Sequence, residues 1–169
     1  MRDRLVINVT ELLQHPGTQR KLSFDEAVED LAVELARVEP TEPLHYELAL
    51  EAVDGESVHV RGKVSGEYVA TCRRCLTETR VPFTVEMSDV YRPESDVWEE
   101  GYVVEGQTVD LHGMVRDNVM LAMPEFPLCR ADCLGLCSSC GANLNQRPCT
   151  CTSDVTSDRW SALKALLED

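Results

Sequence analysis

Eight cysteines in 169 residues constrain this chain more than any other feature, because six of them fall within 23 residues. They read Cys129-x3-Cys133-x3-Cys137-x2-Cys140-x8-Cys149-x-Cys151, and Cys72 and Cys75 form a separate CxxC upstream. The chain opens Met1-Arg2-Asp3-Arg4-Leu5-Val6 and lacks the apolar stretch of a secretory leader, so a disulfide framework is not the expected reading. Crowded reduced thiols suit a tetrahedral metal ion bound by thiolates, for which Zn2+ is the usual occupant. The strongest piece is Leu136-Cys137-Ser138-Ser139-Cys140-Gly141, where Gly after the second Cys permits the left-handed turn of a zinc knuckle. The remaining ligands come from Cys129, Cys133, Cys149 and Cys151, and spacing alone does not choose among them. One zinc satisfies four thiols; a second would recruit the rest.

Zinc that knits the tail is favoured over catalytic zinc. No His lies between Cys129 and Cys151, and a catalytic site needs an open position with a base beside it. Ligation of an iron–sulfur cluster is the alternative that four thiolates also serve. The Cys133-x3-Cys137-x2-Cys140 spacing of radical enzymes is set aside, since only 29 residues follow Cys140. The pair Cys72 and Cys75 is open between two readings: two further ligands that clasp the tail to the rest of the chain, or two half-buried thiols at a strand end.

The remainder reads as an ordinary folded domain. Hydrophobic residues make up 43% and charged residues 27%, which excludes a wholly disordered chain. No apolar run approaches the length of a membrane span, so the expected location is cytoplasmic, with no membrane partner. Leu44 to Ala52 and Val58 to Val64 alternate with period two around Asp54-Gly55, predicting a hairpin. Tyr68 to Cys72 and Thr79 to Val90 extend it into an antiparallel meander with the CxxC at its end. Residues 4–9 predict a short strand running into a helical turn at Thr10–Leu13. Ser23 and Glu26 form a capping box ahead of Ala27, Val28, Leu31, Leu35 and Val38, which predicts a helix from Phe24 to near Pro40. Asp110 caps a second helix ended by Pro124, a short strand spans Gly101–Val104, and Ser157-Asp158 opens a closing helix carrying Trp160, Leu163, Leu166 and Leu167. The expected fold is α+β: an antiparallel meander closing toward a small barrel-like sheet, with flanking helices and a zinc-knuckle-like C-terminal extension. The expected division is a core domain at 1–127 and a cysteine-rich tail with a terminal helix at 128–169.

The formal charge of -14 excludes a protein that coats nucleic acid by bulk electrostatics. The excess is uneven, however. Between Thr71 and Arg92, four arginines face three acids, and between Cys129 and Cys151 Arg130 and Arg147 face only Asp132. The least acidic stretches therefore hold every cysteine, and Arg73, Arg74, Arg80, Arg130 and Arg147 are the candidates for local contact with RNA. No nucleophile–base order, phosphate-binding glycine loop or paired carboxylates emerges, so no enzyme is expected.

Thr71-Cys72-Arg73-Arg74-Cys75-Leu76, the helix around Val109–Pro124 and Cys133-Leu134-Gly135-Leu136-Cys137-Ser138-Ser139-Cys140-Gly141-Ala142-Asn143-Leu144-Asn145 together resemble the bacterial YceD family, as does Asp158-Arg159-Trp160. That resemblance implies a role in accumulation of large-subunit ribosomal RNA. The partner would be that RNA or a pre-ribosomal particle, or, for an acidic adaptor, a basic ribosomal protein. Family members without the C-terminal cysteines imply that the zinc site is an elaboration of the core function.

Overall fold

The structure is a computed structural model, and it describes residues 4–94 and 101–151. The expected closing helix at 157–167 lies outside the described residues.

The meander is its backbone. Strands β5 (Leu44–Ala52), β6 (Val58–Thr71) and β7 (Glu78–Tyr91) run antiparallel in sequence order. Leu44, Tyr46, Leu48, Leu50 and Ala52 of β5 are buried and alternate with exposed or half-buried residues, which is the pattern of a sheet with one face on a core. The β5–β6 turn is closed by the Asp54 carboxylate, which accepts the N–H groups of Glu56 and Ser57. Gly62 of β6 lies close against the β5 backbone: a Cβ there would collide with the Glu47 carbonyl oxygen and lie 2.8 Å from Leu48 Cα.

The helix expected from Phe24 is not formed. Residues 19–26 are instead strand β2 (Gln19–Glu26), paired along its length with β5. Leu22, Phe24 and Glu26 point toward the core side, and Phe24 stacks on Tyr46 with ring centroids 5.0 Å apart. Pairing to a waiting edge outweighs the local capping signal. Downstream, Asp30 adopts φ 61 and two-residue strands β3 (Ala32–Val33) and β4 (Ala36–Arg37) follow. Val28, Leu31 and Val38 still reach the core, so their spacing reported burial correctly and conformation wrongly.

The large sheet has the order β2-β5-β6-β4-β3, with β7 on the other edge of β6. Nothing pairs β2 with β7 among the described residues, so the sheet does not close toward the expected barrel. Its apolar face is covered from outside instead. A second sheet of β1 (Val6–Asn8), β9 (Thr108–Asp110) and β8 (Val104–Glu105), the short helix α1 (Thr10–Gln14) and the helix α2 (His112–Ala122) supply Leu5, Val9, Leu12, Val109, Leu111, Met114, Val115 and Val119 to one continuous core. Asp110 accepts the His112 N–H at 2.9 Å where α2 begins. The two helices and antiparallel sheets give an α+β fold, and no described helix is long and apolar enough to cross a membrane.

Candidate metal centres

The fold brings the cysteines together in two groups of four. Cys72, Cys75, Cys129 and Cys133 form one, and Cys137, Cys140, Cys149 and Cys151 the other, with the sulfurs of each within 4.8 Å of one another. The inner group lies at the end of the β6–β7 hairpin. Its Cys72 and Cys133 sulfurs are 3.8 Å apart and its Cys75 and Cys129 sulfurs 3.6 Å. Four thiolates around a tetrahedral ion at ~2.3 Å stand about 3.8 Å from each other. A disulfide needs ~2 Å. The spacing thus fits an ion held between four sulfurs, and all eight cysteines are unbridged.

Each group is built on the same local device. Cys72–Leu76 and Cys137–Gly141 are CxxC turns in which the residue after the second Cys is left-handed, at φ 57 for Leu76 and 71 for Gly141. In the first turn Leu76 N–H donates to Cys72 O at 2.8 Å and Cys72 N–H to Thr77 O at 3.0 Å; in the second, Gly141 N–H donates to Cys137 O at 2.9 Å and Cys137 N–H to Ala142 O at 2.8 Å. Backbone N–H groups consequently face the sulfurs. Burial opposes ionisation of Cys72, but N–H groups of Cys129, Cys75 and Arg74 together bring its thiol down to about 6. The N–H groups of Cys140 and Ser139 bring Cys137 down to about 6. Their partners move the other way: burial and then the crowded neighbouring thiols push Cys129 up to about 12, and Cys140 does the same to Cys151. Within each tetrad the backbone thus favours the thiolate at one cysteine while crowding opposes it at another, and a divalent ion would supply the charge that ionises the whole set.

The two centres differ in their surroundings. Cys72, Cys75 and Cys133 are buried and sealed by Leu128 and Leu136. Cys140 and Cys151 are exposed. Around the inner group the chain from Pro127 to Asn145 grips the hairpin end. Arg73 N–H donates to Pro127 O at 3.0 Å, Leu136 N–H to Arg74 O at 3.1 Å, and the Arg74 guanidinium to Cys133 O at 3.0 Å. Gly135, at φ 77, lets the tail pass so close that a Cβ would stand 3.2 Å from Arg74 O. Asn145 donates to the Cys133 sulfur at 3.3 Å and accepts the Leu134 N–H at 2.8 Å and Arg130 at 3.0 Å. Asn143 ties the outer turn to Thr77 at 3.4 Å. Thr77, Asn143 and Asn145 did not figure among the sequence candidates; the signal available was Asn-x-Asn one residue beyond the CxxC-Gly turn.

The arginines are placed unequally. Arg80 is held by Glu42 at 2.6 Å and Glu67 at 3.5 Å, and Arg130 by Asp132 at 3.3 Å. Arg74 serves the clasp itself. Arg73 lies over the Phe126 ring, 4.8 Å from its centroid, and Arg147 is exposed.

Comparison with known proteins places these features in a family. Residues 60–167, which span both CxxC turns and all eight cysteines, match the family described as large ribosomal RNA subunit accumulation protein YceD. An uncharacterized protein of Mycobacterium leprae is 34% identical over 154 residues, covering 85% of this chain and 69% of the relative. One of Mycobacterium tuberculosis is 30% identical over 170 residues, covering 96% and 81%. A chloroplast protein of Arabidopsis thaliana named large ribosomal RNA subunit accumulation protein YCED homolog 1 is 33% identical over 73 residues, 42% of this chain and 23% of the relative. No solved structure matches. With a family match over residues 60–167 and relatives of 30% identity or more that align with 85–96% of it, the chain belongs to the YceD family, whose name denotes accumulation of large-subunit ribosomal RNA.

Proposed function

We propose that this protein is a non-enzymatic, cytoplasmic ribosome-biogenesis factor that supports accumulation of large-subunit ribosomal RNA by binding the precursor RNA or an early large-subunit particle. The family match across residues 60–167 carries this reading. Each cysteine tetrad holds one Zn2+: Cys72, Cys75, Cys129 and Cys133 the inner ion, Cys137, Cys140, Cys149 and Cys151 the outer. Bound there, zinc supplies rigidity and charge compensation, because four protein thiolates leave no open position for a substrate. The metal's role is to hold the tail, residues 128–169, against the core of residues 1–127, and so to fix the arginine-bearing loops beside the hairpin end. That division of labour accounts for an RNA contact in a chain of charge -14, since only the clasp would face RNA.

Cells lacking the protein should show a lowered ratio of large- to small-subunit ribosomal RNA, restored by the wild-type gene. An unchanged ratio would overturn the reading. The net charge favours one second reading, an acidic adaptor that shields a basic large-subunit ribosomal protein. Capture from lysate with and without nuclease separates the two: an association that survives nuclease belongs to the adaptor, and one that is lost belongs to RNA.

A further inference from the structure

We propose that Phe126, backed by Arg73, is a stacking platform for an unpaired RNA base, so that the RNA recognised is single-stranded; this rests on the RNA-binding reading above and narrows it. Three observations point there. Phe126 is 60% exposed, whereas Tyr46 and Tyr91 are buried and Phe24, Tyr68, Phe83 and Tyr102 half-buried among the described residues. The Arg73 guanidinium sits 4.8 Å from the Phe126 ring centroid, and the Arg73 N–H bond to Pro127 O fixes the two chains that carry them. The third is charge. In this acidic chain Arg37, Arg61, Lys63 and Arg80 are each neutralised by a carboxylate within 4.0 Å. Arg73, Arg74 and Arg147 have no carboxylate that close among the described residues, a property they share with Arg20, Lys21 and Arg92 on other parts of the fold, and of these Arg73 alone lies against an exposed ring.

An exposed aromatic ring beside the uncompensated Arg73 guanidinium suits a ligand that is both aromatic and anionic, as each nucleotide of a single strand is. A duplex offers its phosphates but keeps its bases stacked within, so it could use the arginines and not the ring. The clasp sets the geometry: the Arg73 main chain bonds to Pro127, and Arg74 to Leu136 and Cys133. Arg73 therefore serves twice, by holding the ring and by presenting charge to the phosphates on either side of a stacked base.

The test uses the full-length, metal-loaded protein and a fluorescent single-stranded RNA of about 12 nucleotides, within the span that single-strand binders cover, read by anisotropy at low salt. The wild type should bind this strand more tightly than the duplex of the same sequence. Phe126→Ala should weaken single-strand binding roughly 5- to 150-fold, the equivalent of one lost base stack, while Phe126→Tyr retains it and Arg61→Ala, at a guanidinium paired with Glu51, leaves it unchanged. Equal metal content and circular dichroism across the variants show that the clasp is intact. Overturning results are an affinity unaffected by Phe126→Ala, a preference for duplex, or no binding by the wild type. A lowered ribosomal RNA ratio in cells lacking the protein, together with any of these, would sink the platform and leave the biogenesis role standing; an unchanged ratio sinks the role itself.

Discussion

Asn145 is the residue through which the clasp is most sharply tested, because it touches the inner sulfurs without being a ligand. Its side-chain N–H donates to Cys133 Sγ at 3.3 Å, and its oxygen accepts the Leu134 N–H and the Arg130 guanidinium. Asn145→Leu keeps the size of the side chain and removes these three bonds together with the one its N–H donates to Asn143 Oδ1 at 2.9 Å. A hydrogen bond to a charged group contributes about 1.5–3 kcal/mol, and partners of this kind tune metal affinity by roughly 10- to 100-fold, so the two figures agree. The Leu134 N–H adds little, since Leu134 is 65% exposed and water replaces the bond. Affinity at the inner site should therefore fall about 10- to 100-fold. The assay is competition against a chromophoric chelator in a Cys140→Ser/Cys151→Ser background, with Co2+ charge-transfer bands reporting thiolate ligation. The reciprocal background, Cys72→Ser/Cys75→Ser, reports the outer site and should show no change from Asn145→Leu. A change of less than about twofold at the inner site, or an equal loss at both, refutes the assignment of Asn145 to the inner sulfurs.

Three further outcomes follow from the same geometry. Gly62→Ala, whose Cβ meets the β5 backbone, should destabilise the fold by at least about 2 kcal/mol in urea titration, since rigid overpacking costs of that order. Left-handed backbone costs a side chain about 1–2 kcal/mol, so Gly141→Leu, at φ 71, should lower outer-site affinity, while Leu76→Gly relieves the same strain in the inner turn and should leave inner-site affinity equal or higher; chelator competition reads both. Asp110, though exposed, is partly desolvated, which opposes ionisation, yet it is held below its ordinary carboxylate range because the N–H and ring of His112 both bond it. Its contribution is present at neutral pH and is lost as pH falls through the carboxylate range, so the acid limb of a stability–pH profile should be shallower in Asp110→Ala.

The meander was legible because period-two burial survives into the fold: β5 and the first half of β6 lie where the alternation of Leu44 to Val64 puts them. The segment from Phe24 to Val38 was not, since its capping box is a local signal and its fate was set by an edge of β5 that lies more than 15 residues downstream. Barrel closure is not legible for a related reason: β1 precedes the large sheet in sequence and β9 and α2 follow it, and together they cover a face that the strands alone could cover only by curling. Within the metal site, the Cys137–Gly141 turn was legible from its glycine. The equivalent turn at Cys72 was ambiguous because Leu76 occupies the left-handed position, where an ordinary residue gives no sign of the conformation. Partition of eight thiols into two sets depends on which chain segments meet, and no spacing rule contains that.

In the proposed function all eight cysteines hold metal, four closing the β6–β7 hairpin onto the tail and four folding the tail itself. Elemental analysis of anaerobically purified protein, run beside a count of reactive thiols, tests it most directly. Two zinc ions per chain with all eight thiols protected is the expected result. One zinc with Cys72 and Cys75 freely reactive, or no metal with every thiol reactive, would contradict it.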